Sequence, residues 1–186
     1  MSEEEPDQPP SPGAALATGV VIYGAMAAAA LVWLDLSDRS DALAERAVGQ
    51  HGPVAASATG LGVGLVGAWV FGRLVSSKDR FQAITSAAQR LFARAGDGVV
   101  VPFALISAVA EELFFRLAVQ EVFGLAGSVA AYVLLNSTAG GFQWLVFAFA
   151  HALALGLLVQ SGFGLLGSAT AHAVLNYLCL RRIQDS

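Results

Sequence analysis

Three charged side chains stand close together inside a mostly apolar run of the sequence that extends from 99 to 124. They are Glu111, Glu112 and Arg116. Each ionised group at the centre of a bilayer costs roughly 2.5–3.5 kcal/mol, so a membrane helix that carries three of them indicates a functional site. A carboxylate in a dry environment is a competent general base near neutral pH and can activate a water molecule.

The spacing of these three residues divides them into a pair and a single carboxylate. On a helix, Glu112 and Arg116 are four residues apart with the acid first, which favours an ion pair. Glu111 points about 100° away from Glu112 and is left for another role. A purely structural ion pair would explain Glu112 and Arg116, but it leaves Glu111 without an explanation.

Three further polar residues lie in a long apolar tract. From 122 to 180 the sequence contains no Asp, Glu, Lys or Arg, yet it holds His151, His172 and Asn176. His172 and Asn176 are four residues apart and share one helix face. Either could be a polar packing residue of a membrane helix. Two of them on one face, in a chain that also buries a carboxylate pair, favour a shared site.

The composition predicts an all-α, multi-pass membrane protein. The chain has 186 residues, of which 56% are hydrophobic and 13% are charged, and its mean hydropathy is +0.65. That length allows about six membrane helices of roughly 20 residues. A net charge of −4 without a basic cluster argues against a nucleic-acid partner. Cys179 is alone, so the sequence has no disulfide framework.

Three segments follow one another along the chain. Residues 1–12 are acidic and proline-rich and are predicted to form a disordered tail. Residues 13–98 are predicted to form two membrane helices, a polar loop with a short helical turn, and an interfacial amphipathic helix. Residues 99–182 are predicted to form the helical core. The predicted membrane spans are 13–34, 54–75, 99–123, 125–138, 142–160 and 165–180.

The basic residues predict the orientation and a common depth for the polar groups. Five basic residues between 73 and 97 place that segment in the cytoplasm, so six spans place both termini there. In this orientation, nine residues separate a cytoplasmic helix end from each of Glu111, His151 and His172. At 1.5 Å per residue, each group lies roughly 13 Å deep. We therefore expect them to converge on one buried site that faces the cytoplasm.

The polar residues also resemble the motifs of a known family, the CAAX-protease and bacteriocin-processing (CPBP, or Abi) intramembrane proteases, which include the Ras-converting CAAX endopeptidases. The resemblance covers about residues 99–182. It rests on three motifs in order along the chain: Glu111-Glu112-x-x-x-Arg116, Phe147-x-x-x-His151 and His172-x-x-x-Asn176.

One position departs from the family pattern. The second-motif histidine of the family usually lies on the span directly after the glutamate helix, and that position holds Asn136 in this chain. His151 lies one span later. Asn136 is only about four residues from its predicted cytoplasmic turn, so depth favours His151. We predict that His151 completes the site and keep Asn136 as the alternative.

The resemblance implies an endopeptidase that cleaves a peptide or lipidated-protein substrate in contact with membrane lipid. It implies that Glu111 and His151 activate water and that His172 and Asn176 bind the oxyanion of the tetrahedral intermediate. Glu112 and Arg116 would position Glu111, and Phe147 would support His151. The resemblance implies no cofactor.

Two alternatives stay open at this point. Two histidines and a glutamate could bind zinc, although the sequence has no His-Glu-x-x-His motif and the resemblance favours a metal-free mechanism. The protein could also be a non-enzymatic membrane scaffold or a bacteriocin-immunity protein with a degenerate site. No motif of the sequence specifies an oligomeric state.

Overall fold

The computed structural model describes residues 11–75, 88–137 and 141–185, and within these ranges the chain is helical and has no strand. The α-helices in chain order are α1 Pro12–Leu36, α2 Ala42–Arg46, α3 Gly52–Val75, α4 Asp97–Glu112, α5 Gln120–Leu135, α6 Phe142–Leu158 and α7 Gly164–Gln184. Two π-helical segments, Leu113–Val119 and Val159–Phe163, connect α4 to α5 and α6 to α7, and residues 88–92 are also helical.

Four helical stretches within the described part of the chain are long and apolar enough to cross a membrane. Large apolar side chains such as Val21 and Trp69 are mostly exposed on these helices, as expected for surfaces in contact with lipid. The all-helical membrane architecture predicted from composition is therefore confirmed at this level. The four stretches are Pro12–Leu36, Gly52–Leu74, Asp97–Leu135 and Phe142–Gln184.

The third and fourth stretches fold back on themselves. The Ser128 hydroxyl donates a hydrogen bond to the Phe115 carbonyl at 2.7 Å, whereas thirteen residues of straight helix would separate these groups by roughly 20 Å. The chain reverses at Gly124, where φ is +70°. A second reversal lies at Gly162 and Gly164, with φ of +82° and +63°. Glycine is favoured at all three positions because it has no Cβ to clash in this region.

The loop between α1 and α3 holds the second reversal in place. The Leu166 amide donates to the Ala47 carbonyl at 2.9 Å, and the His51 amide donates to the Gly162 carbonyl at 3.3 Å. Arg46 forms an ion pair with Glu121, next to the first reversal, at 2.8 Å. The loop therefore ties both reversals together at one end of the bundle.

Close backbone packing places α3 against α7. A Cβ at Gly64 would lie 2.6 Å from the Ala171 carbonyl oxygen, and one at Gly60 would also overlap the backbone of α7. Small residues at this spacing let membrane helices approach closely, as the glycine pattern of 60–64 predicts. This contact fixes the position of the face of α7 that carries His172.

Some predicted boundaries need correction. The predicted disordered tail of 1–12 is too long, because Pro12 begins α1 and Ser11 caps it by accepting a hydrogen bond from the Ala14 amide at 3.2 Å; residues 1–10 lie outside the described residues. The predicted helix of 76–98 is also described only in part, since 76–87 lie outside the described residues. Its described end stops short of Asp97, which begins α4.

Candidate active site

Glu112 and Arg116 form the ion pair that their spacing predicts. The Arg116 Nε and Glu112 Oε2 atoms are 3.4 Å apart, and the two side chains are 0% and 1% exposed. Arg116 also donates to the Ser128 hydroxyl at 2.8 Å, and its guanidinium lies 5.7 Å from the centre of the Tyr132 ring. Ser128 and Tyr132 both belong to α5, so the reversal at Gly124 brings these additional partners to the pair.

His172 lies between the two glutamates. Its Nδ1 is 2.9 Å from Glu112 Oε1, and its Nε2 is 3.7 Å from Glu111 Oε2. An ionised carboxylate can only accept a hydrogen bond, so the proton of this short contact belongs to Nδ1 of the imidazole. Glu112 thus fixes the ring so that Nε2 is directed toward Glu111. The spacing along the helix predicted the pair of Glu112 with Arg116 but not this second contact with His172.

Glu111 is the more accessible of the two acids. Its side chain is 17% exposed, whereas that of Glu112 is 1% exposed. Tyr23, on α1, lines the same cavity as Glu111. Sequence reasoning missed Tyr23 because no local pattern relates a tyrosine on the first helix to a glutamate some ninety residues later.

Asn176 is held by a second residue that sequence reasoning missed. Its Nδ2 donates to the Ser107 hydroxyl oxygen at 3.0 Å, and Ser107 donates to the Ala104 carbonyl at 3.2 Å. Ser107 lies one helical turn before Glu111 and is 1% exposed. The i, i+4 spacing of Ser107 and Glu111 on α4 matches that of His172 and Asn176 on α7, so the two helices face each other through two side-chain pairs.

His151 adjoins the same group of residues. Its ring lies 4.8 Å from the His172 ring, centre to centre, in a near-perpendicular arrangement, and it is parallel to the Phe147 ring at 6.1 Å. The His151 Nε2 atom is buried and has no hydrogen-bond partner among the described residues. The same side chain also lines a cavity of about 300 Å³ between α3 and α6. His151 therefore lines a different cavity from the one that Glu111 lines, and one of its ring nitrogens has no partner among the described residues.

Asn136 occupies a different part of the site. Its Nδ2 donates to the Tyr132 carbonyl of its own helix at 2.9 Å, and its backbone carbonyl accepts from the Trp144 indole at 3.1 Å. These contacts place it at the end of α5, on the wall of the same cavity as Glu111. In the described part of the chain, the side-chain amide of Asn136 therefore bonds only within its own helix end.

Most of these groups line one cavity of about 460 Å³. Its polar walls are Tyr23, Ser107, Glu111, Asn136, His172 and Asn176. The rest of the cavity wall is mainly apolar, and the cavity extends toward the end of the bundle where α4 begins and α7 ends. The apolar side chains along it include Phe71, Phe103, Phe147, Leu175, Leu180 and Ile183. The arrangement gives an apolar passage with carboxylate, imidazole and amide groups at its inner end.

The described residues contain no group of three or more His, Cys, Asp or Glu side chains arranged to hold a metal ion. What the described groups can do is exchange protons and donate hydrogen bonds. Among these groups, Glu111 can accept a proton and Asn176 can donate a hydrogen bond, and both line the same cavity.

No protein-family model, no curated protein and no solved structure gives a significant match to this chain. A functional assignment therefore depends on the chemistry of the site itself.

Proposed function

We propose that this chain is an intramembrane endopeptidase of the CPBP type, in which Glu111 activates water for hydrolysis of a peptide bond. One observation carries the proposal: of the two adjacent acids, only Glu111 opens onto the cavity, whereas Glu112 is buried and enclosed by Arg116 and His172. A structural ion pair accounts for Glu112 and Arg116. It gives no reason to place a second carboxylate at the inner end of an apolar passage.

The proposed reaction begins with proton transfer from water to the Glu111 carboxylate. The water oxygen forms a bond to the carbonyl carbon of the substrate, and the carbonyl oxygen becomes an oxyanion. Glu111 then gives its proton to the amide nitrogen as the carbon–nitrogen bond breaks, which releases an amine and a carboxylic acid. This sequence needs one general base that returns the proton as a general acid, and it consumes one water molecule.

The oxyanion is stabilised by Asn176 and His172. Asn176 supplies an amide N–H, and His172 supplies Nε2–H when both ring nitrogens carry protons. With two carboxylates, one guanidinium and one imidazolium the site is neutral overall, so a charged His172 is compatible with burial. Donors fixed in advance in a dry site stabilise developing charge without reorganisation. We propose that His151 also takes part in activating the water, because its ring lies 4.8 Å from the His172 ring, centre to centre, and its Nε2 atom has no partner among the described residues.

We further propose that the chain crosses the membrane six times, with both termini in the cytoplasm and an interfacial helix within 76–98. The reversals at Gly124 and Gly162 support six crossings, because they divide two long helical stretches into hairpins. Arg181 lies 3.5 Å from Asp97 and the Arg182 guanidinium packs at Gly72, so basic residues gather at the end of the bundle toward which the cavity runs. Basic residues favour the cytoplasmic side.

The apolar walls of the passage support a substrate that carries an apolar group. The walls are built mainly of aromatic and aliphatic side chains, which would favour a peptide with an apolar side chain or lipid group next to the scissile bond. We therefore propose a membrane-associated peptide or a lipidated protein as the substrate.

A cleavage assay in proteoliposomes tests the proposal. Purified protein is mixed with a library of peptides, with and without an attached prenyl or acyl chain, and products are identified by mass spectrometry in water enriched in ¹⁸O. We expect cleavage that adds one ¹⁸O atom to the new carboxyl group. It should persist in a metal chelator, whereas loss of cleavage there would favour a zinc mechanism.

A folded protein that cleaves no peptide of either class would favour the non-enzymatic scaffold instead. Glu45→Gln serves as a matched control for Glu111→Gln in this assay. Glu45 is an exposed acid of α2 at the opposite end of the bundle. Its cleavage rate should equal that of the unmodified protein.

A further inference from the structure

We infer that Ser107 is a positioning residue that sets the orientation of the Asn176 amide toward the oxyanion. The inference rests on the proposed function, because it gives a purpose to a contact that is part of the same site. It concerns a residue outside all three motifs, on the helix face that also carries Glu111.

The hydrogen bonds of Ser107 allow only one orientation of the amide. The Ala104 carbonyl can only accept, so the hydroxyl proton of Ser107 is directed to it at 3.2 Å. The hydroxyl oxygen is then left as an acceptor. Asn176 must present its amide nitrogen, at 3.0 Å, because its carbonyl oxygen in that place would face another oxygen lone pair.

This orientation matters because the two ends of an amide act oppositely on an oxyanion. The nitrogen carries two protons, of which one is bound to Ser107 and one is left for the cavity. A flipped amide would direct its oxygen toward the developing negative charge and would repel it. Ser107 is 1% exposed, so water does not compete for the contact.

The position of Ser107 also couples the two halves of the site. Ser107 and Glu111 are one turn apart on α4, and His172 and Asn176 are one turn apart on α7. Glu111 faces His172, and Ser107 faces Asn176. The base and the oxyanion donor are therefore held at a distance set by two parallel contacts between the same pair of helices.

Kinetics of single and double variants test the inference. Removal of one oxyanion donor costs about 10²–10³ in kcat, which is the expectation for Asn176→Ala. Ser107→Ala should lower kcat by roughly tenfold and leave KM unchanged, since the amide is kept but samples both orientations. Ser107→Ala should add nothing in the Asn176→Ala background. An equal fall in both backgrounds would show a merely structural role and overturn the inference.

A control variant isolates the hydroxyl contact. Thr170 on α7 donates only to the Leu166 carbonyl of its own helix at 2.7 Å. Thr170→Val removes a half-buried hydroxyl of the same kind and should leave kcat unchanged. Ser107→Cys keeps the shape of the side chain with a slightly larger and weaker acceptor, so it should also lower kcat but by less. This variant serves if Ser107→Ala folds poorly.

A second readout does not require activity. Asn136 and Asn176 are the two asparagines of the chain, so selective ¹⁵N-asparagine labelling gives two side-chain NH₂ groups in an NMR spectrum. Ser107→Ala should shift and broaden the Asn176 pair, whereas the Asn136 pair, bound to the Tyr132 carbonyl, should stay in place. An unmoved Asn176 pair would contradict the inference even if no peptide is ever cleaved, and a moved pair without cleavage would refute only the proposed function.

Discussion

Arg116→Ala should strongly destabilise the protein, because it removes the charge that compensates Glu112. The two side chains are 0% and 1% exposed, so neither can be hydrated after the change. Removal of one partner from a buried ion pair costs about 3–5 kcal/mol, mainly because an uncompensated charge is left behind. The Ser128 hydroxyl also loses the donor at 2.8 Å, although it retains the Phe115 carbonyl as a partner.

The assay is reversible unfolding in bicelles, followed as a free energy of unfolding. Arg39→Ala is the control, because Arg39 is 53% exposed and lies 3.5 Å from Glu121, which keeps Arg46 at 2.8 Å. Exposed pairs contribute about 0–1 kcal/mol, so this variant should be close to the unmodified protein.

A companion variant separates charge from volume. Arg116→Met combined with Glu112→Gln removes both charges and keeps an acceptor for His172 Nδ1, so it should recover much of the stability lost in Arg116→Ala. If Arg116→Ala unfolds with the same free energy as Arg39→Ala, the pair does not compensate a buried charge and the reasoning is refuted.

Three further predictions address the site, the topology and the turns. His151→Ala should lower the cleavage rate by about 10²-fold or more while Asn136→Ala changes it little; the reverse result would assign the second-motif role to Asn136. Single-cysteine labelling should modify position Ser40 from outside the cell, and labelling from the cytoplasm alone would invert the topology. Gly164→Ala should cost about 1–3 kcal/mol of unfolding free energy, because φ is +63° there. Gly24→Ala should be neutral, because a Cβ added at Gly24 would lie in open space. Equal losses of unfolding free energy in the two variants would show that the turn conformation is irrelevant.

Local spacing accounts for what the sequence could predict about the site. The Glu112–Arg116 pair follows from i, i+4 geometry on one helix, and the structure contains it at 3.4 Å. Equal distances from three helix ends predicted that Glu111, His151 and His172 would share one site; His172 lies next to each of the others, but His151 and Glu111 line different cavities. Regular helices convert residue counts into depth, so such predictions need no knowledge of tertiary contacts.

Contacts between elements far apart in sequence could not be predicted in this way. Tyr23 of α1 lines the same cavity as Glu111, and Ser107 binds Asn176 across 69 residues. Neither residue stands out in composition, since a tyrosine or serine on a membrane helix is common and inexpensive compared with a charge. The helix ends were also misplaced, because caps such as Ser11 depend on single hydrogen bonds that hydropathy does not resolve.

The rate of peptide cleavage by Glu111→Gln, measured beside Glu112→Gln and the unmodified protein, tests the central claim most directly. Gln keeps the size of Glu111 and one of its acceptor oxygens but cannot accept a proton from water. We expect Glu111→Gln to bind substrate with unchanged affinity, to unfold with an unchanged free energy and to lose at least about 10²–10⁴ in rate. Glu112→Gln should instead lose stability, because Arg116 is left buried without its counterion. Cleavage by Glu111→Gln at the unmodified rate would contradict the account.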